Sequence, residues 1–110
     1  MKRLVRITAR ARADVDAIFV WLARRSPQGA QTWYDAFFEA VAGIAADPDR
    51  YSLAAEVLSR WNRTIRQAFF KTPRGRRYRI LFEVTEKHVI ILRVRGHGQP
   101  PLRPRDLPSI

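Results

Sequence analysis

His97 lies between Gly96 and Gly98, just past a β-like run that ends in Arg93-Val94-Arg95. Glycines on both sides leave a side chain exposed and let a substrate approach closely. The ordinary imidazole pKa of about 6.5 suits proton transfer. Neighbouring cations push the ring toward its neutral form, which can act as a base. Arginines beside it would hold a scissile phosphate and stabilise the charge added in the transition state. These residue types would permit metal-free cleavage of RNA through attack by the 2′-hydroxyl. The same position also suits an ordinary loop histidine.

The arginines near His97 fall into a pattern if the last two strand-like runs form a hairpin turning at residues 85–87. Tyr78, Ile80, Phe82 and Val84 then oppose Val94, Leu92, Ile90 and His88, and this apolar face should be covered. The opposite face pairs Leu81 with Ile91, Arg79 with Arg93 and Arg77 with Arg95. Like charges directly opposite in a sheet repel, by some tenths of a kcal/mol each, roughly the scale of cross-strand pair energies. A partner anion would remove that repulsion. Arg66 and Lys71 on the preceding run, with Arg74 and Arg76 in the turn, would add to the same patch. Alternatively the stems splay outward and cover Leu81 and Ile91.

Other chemistries are set aside. The chain has no Cys and only two His, which removes thiolate chemistry and argues against a metal centre. Its five glycines fit no phosphate-binding loop. No metal or cofactor is therefore expected. Asp14 and Asp16 suit the electrostatics of a helix start. Glu83 and Glu86 flank a turn and read as solvated, and His88 reads as structural. Of the three tryptophans, Trp33 lies on an apolar stripe, Trp21 beside one, and Trp61 just ahead of the basic runs. Each suits packing better than base stacking.

The elements that must position these residues are legible in outline. A strand over Lys2–Ile7 leads to Thr8, a helix N-cap, and Val15, Ile18, Phe19 and Leu22 then recur at helical spacing. Arg24 and Arg25 close that helix, and Ser26-Pro27 restarts the next as cap and first residue. Ala30, Trp33, Tyr34, Phe37, Val41 and Ile44 form a second stripe, ended at Asp47-Pro48-Asp49. Both stripes must lie on a sheet. Leu53, Val57, Leu58 and Trp61 should anchor an irregular stretch. Strand-like runs at Thr64–Phe70, Tyr78–Val84 and His88–Arg95 follow. The order β-α-α-β-β-β implies an α+β fold: an antiparallel-rich sheet with a helical hairpin on one face. Residues 1–98 form the domain, and 99–110 a Pro-rich irregular tail.

The chain has 110 residues, with 21 Lys plus Arg against 10 Asp plus Glu. Residues 60–110 hold thirteen of those cations and three of the anions, so the charge excess sits in the second half. Such asymmetry fits an anionic partner, nucleic acid or an acidic protein segment. No apolar run approaches the roughly 18 residues of a membrane span. The start lacks the pattern of a signal peptide, so a cytoplasmic location is expected.

Taken in order, several segments resemble the RelE/ParE superfamily of toxins from bacterial type II toxin–antitoxin modules. They are Asp14-Val15-Asp16-Ala17-Ile18, Trp21-Leu22, Arg24-Arg25-Ser26-Pro27, Ala46-Asp47-Pro48, Tyr78–Val84 and Val89–Gly98. The longer helical hairpin looks more like the ParE branch. The resemblance implies a toxin neutralised by a cognate antitoxin in a hetero-oligomer. RelE-like members cut mRNA on the ribosome, whereas ParE-like members inhibit DNA gyrase by protein contact. By resemblance, Arg79, His97 and Arg95 would be catalytic if the chain is an RNase. Arg66, Lys71, Arg74, Arg76, Arg77, Arg79, Arg93 and Arg95 would bind antitoxin or target. RNase members carry an aromatic residue after or beyond the histidine; here Gly98, Gln99 and Pro100 follow. A basic binding module without toxicity is the remaining alternative.

Overall fold

A computed structural model describes residues 3–54, 63–96, 98–100 and 102–107. Strand β1 (Leu4–Ile7) is followed by helices α1 (Ala9–Ala23) and α2 (Pro27–Ala46), then strands β2 (Arg66–Phe70), β3 (Tyr78–Val84) and β4 (His88–Arg95). Short 3-10 turns occupy Pro48–Arg50 and Pro104–Asp106. The fold is the expected α+β arrangement.

Local chemistry sets the helix boundaries. Thr8 caps α1, its Oγ1 accepting from the Ala11 N–H at 3.1 Å. Ser26 caps α2 by accepting from the Gly29 N–H at 2.9 Å, with Pro27 at the first helical position. Each cap satisfies a backbone donor that the helix leaves orphaned.

The strand order is β1-β4-β3-β2. β1 runs parallel to β4, and the other neighbours are antiparallel. One face lies under the helical hairpin. Val15, Trp33, Phe37, Val41 and Ile44 pack there against Ala68, Ile80, Phe82, Val89, Ile91 and Val94. The stripes read from helical periodicity supply this layer.

The β3–β4 register differs from the expected one. Val84 pairs with Val89, Phe82 with Ile91, and Ile80 with Val94, with an irregularity between Leu81 and Phe82. Val89 and Ile91 therefore face the helices, while Ile90 and Leu92 take the opposite side. Two features set this: at the turn the Thr85 N–H donates to the His88 carbonyl at 2.9 Å, where the pairing is one residue from the expected one, and the irregularity between Leu81 and Phe82 adds a second residue beyond it. A slip of one residue exchanges the faces of a strand. β4 is apolar on both sides, so alternation alone cannot say which of its residues face the helices.

The second face is not open as expected. Ala54, Ile65, Leu81, Ile90, Leu92, Leu102 and Leu107 form a smaller core over it. The tail supplies Leu102 and Leu107, both buried.

Candidate functional site

Beyond the second core, toward the C-terminal end of β4, the sheet carries a row of three residues. Phe69 on β2 pairs with Arg79 on β3, and Arg79 pairs with Arg95 on β4. These three line a cavity of about 140 Å³ together with Arg77, Tyr78, Gly96, Gln99 and Pro100.

Each guanidinium is held differently. Arg77 lies over the Phe69 ring, its Cζ 4.1 Å from the centroid. Arg79 Nη1 donates to Gln67 Oε1 at 3.2 Å. Arg95 Nη2 donates to the Pro100 carbonyl at 2.8 Å. The Gly96 N–H donates to Gln99 Oε1, which folds the start of the tail against the strand end. Arg95 Nε is buried and meets no acceptor among the described residues. Burial above all, then the charges of Arg93 and Arg79, holds the Arg95 guanidinium below its ordinary value. No carboxylate lines the cavity among the described residues.

One lining residue, Tyr78, reaches from the cavity into the aromatic packing of the larger core. Tyr78 sits edge-on to Trp33 at 5.3 Å and stacks on Phe70 at 5.8 Å. Burial raises its hydroxyl above the ordinary tyrosine range, although Arg76 pulls the other way. Tyr78 thus stays neutral at physiological pH.

Arg79 and Arg95 come together, but not with the partners expected of them. Arg93, expected opposite Arg79, pairs in register with Leu81 and leaves the patch. Arg93 Nε and Nη2 donate to the two carboxylate oxygens of Asp14 at 2.7 and 3.0 Å, and Nη1 donates to the Asp106 carbonyl at 2.6 Å. The bidentate bond to Asp14 raises the Arg93 pKa. Asp14 also accepts from the Val94 N–H at 2.9 Å. β1 ends at Ile7, opposite Ile91, so β4 loses its strand neighbour there and the α1 carboxylate takes that place. Asp14 is therefore a structural anchor rather than a first-turn acid, since α1 has no acidic residue in its first turn.

Arg66 also leaves the patch. It pairs with Phe82 on the helix-facing side and donates through Nη1 to the Tyr51 carbonyl at 2.6 Å. Lys71, Arg74 and Arg76 are exposed in the β2–β3 connection and do not line the cavity. That connection contains the expected turn, with the Gly75 N–H donating to the Thr72 carbonyl. Glu83, expected to be solvated, is half-buried and accepts from Arg63 Nε and Nη2. Trp33 is core, and Trp21 is about half exposed under the Arg25 guanidinium. His97, Trp61, Val57 and Leu58 lie outside the described residues. Sequence pattern missed Gln67, Phe69 and Gln99 because none is charged; the only signal for Phe69 was its phase opposite Arg79.

Residues 5–101 match the family model described as the ParE toxin of the type II toxin–antitoxin system parDE. The chain belongs to the ParE toxin family. It is thus a type II toxin of the RelE/ParE superfamily, on the ParE branch. No curated protein shows significant similarity to it. In this ParE toxin the match begins within β1 and includes every residue lining the arginine cavity. Membership implies a cognate antitoxin as partner. No helix among the described residues is long and apolar enough to cross a membrane.

Proposed function

We propose that this toxin acts by protein contact, inhibiting DNA gyrase until a cognate antitoxin binds it, and that it does not cleave RNA. The supporting observation is the composition of the arginine cavity. Three guanidiniums line it, yet no described lining residue is a general base. Tyr78, whose pKa is raised by burial, cannot serve as one near neutral pH. Arg77 already lies over the Phe69 ring, so a base stacking there would compete with that guanidinium.

The RelE-like reading keeps one observation in its favour. Arg79 and Arg95 stand directly opposite each other, as phosphate binding would need. The two readings part in two assays on the purified toxin. Gyrase supercoiling should be inhibited, while mRNA on translating ribosomes should stay uncut at the A site. Cut mRNA would reverse the conclusion. Loss of cutting in Arg79→Ala with His97→Ala would then assign the catalytic role to that pair.

A further inference from the structure

The arginine cavity has the size and charge of a socket for one carboxylate side chain. It holds three guanidiniums and no described acid, and buries an Nε–H that meets no acceptor among the described residues. A buried donor without a partner is costly, and an incoming oxyanion would satisfy it. Arg79 and Arg95 sit directly opposite in the sheet, so an oxyanion bound at Arg95 lies beside a second guanidinium. Burial in the absence of such an anion already works against the charge on Arg95.

Size decides between occupants. The cavity measures about 140 Å³, below the roughly 300–1,000 Å³ of ordinary small-molecule sites. A nucleotide needs room for its base as well as its phosphate, and Arg77 already lies over the Phe69 ring. A Glu or Asp side chain needs neither. It needs forked donors in a plane, which guanidiniums provide.

We propose that the cavity formed by Arg77, Arg79, Arg95 and Gln99 receives a glutamate or aspartate side chain from an acidic segment of a protein partner. The antitoxin is the source of that segment, and on this point alone the proposal rests on the toxin–antitoxin assignment. Arg95 is the inner contact through Nε, Arg79 flanks it across the strand pair, and Arg77 closes over the rim. The tail wall at Gln99 and Pro100 fixes the depth.

The test is side-chain NMR on the full chain, following the arginine Nε–Hε signals and assigning Arg95 with Arg95→Lys. The probes are a hexapeptide rich in Glu with both ends capped, its Gln counterpart, and a single-stranded RNA hexamer. The Glu peptide should move the Arg95 Nε–Hε signal, and the Gln peptide should not. Arg77→Gln, at an exposed position that leaves the fold intact, should weaken the Glu peptide by about tenfold or more, the loss expected for a charge-assisted hydrogen bond. Arg12→Gln, on the exposed side of α1, should leave binding unchanged. An unmoved Arg95 signal, an equal response to the Gln peptide, or displacement of the Glu peptide by the RNA would each overturn the proposal. The measurement involves no gyrase. Failure of gyrase inhibition would therefore sink the functional proposal and leave this one standing, and an unmoved Arg95 signal would do the reverse.

Discussion

Arg93 shows how the same residue type can carry two duties two positions apart. Arg95 keeps an Nε–H with no acceptor among the described residues beside a cavity, whereas Arg93 spends its guanidinium on Asp14 and the Asp106 carbonyl. Nothing local in the sequence separates them, because Asp14 lies 79 residues away. Removing one partner of a buried pair leaves an uncompensated charge. Asp14→Ala should therefore destabilise the protein by about 3 kcal/mol, read by chemical denaturation; a loss below that of an ordinary surface substitution would remove the anchor role. The double change Asp14→Leu with Arg93→Met should recover most of the loss, since neither charge is then left buried alone. Asp106 adds a pH dependence. Its carboxylate is held below the ordinary value of 3.8, chiefly by the Arg103 N–H. A depressed folded-state pKa favours the fold while the group is ionised, so this contribution is complete above the unfolded value. It is lost as pH falls below about 4 and through the lower folded value. Leu102 and Leu107 methyl signals should report loosening of the tail over that range, and Asp106→Asn should remove the dependence.

The helices were legible because their signals are local. Thr8 and Ser26-Pro27 announce both starts, and the apolar stripes run at one period throughout. Thr8 does more than cap, because its Oγ1 also donates to the Leu92 carbonyl at 3.2 Å. Ser26→Ala should cost about 1 kcal/mol. Thr8→Ala should cost roughly twice as much, losing the cap and a second hydrogen bond. Equal effects in thermal denaturation would mean that the Leu92 bond is worth nothing. The strands were legible as segments but not in their pairing. β4 is buried on both faces, so its alternation carries no phase, and the turn at Thr85–His88 together with the irregularity between Leu81 and Phe82 decides the register. The cost of that ambiguity falls on the arginine row: alternation sets Arg93 opposite Arg79, whereas Arg95 and Phe69 flank it.

At the scale of the whole molecule, two cores share one sheet. The larger lies under the hairpin, and the smaller is closed by tail residues that composition alone read as irregular. Leu102 is 4% exposed against Leu81, Leu92 and Ile65. Leu102→Ala should cost about 2–4 kcal/mol through lost burial and the void left behind. The tail also forms one wall of the arginine cavity, so the same variant should weaken Glu-peptide binding; stability loss with unchanged binding would separate the two roles. The charge excess of the second half, visible in the sequence, becomes a cavity only where β3, β4 and the tail meet.

The adjacency of β1 and β4 places the first strand beside the last, and Thr8 is joined to Leu92 across 84 positions. Contacts of such long reach form slowly and late. A nascent chain interrupted before β4 emerges can complete neither layer of the molecule. Every surface that needs both layers is therefore completed together, near the finish of synthesis.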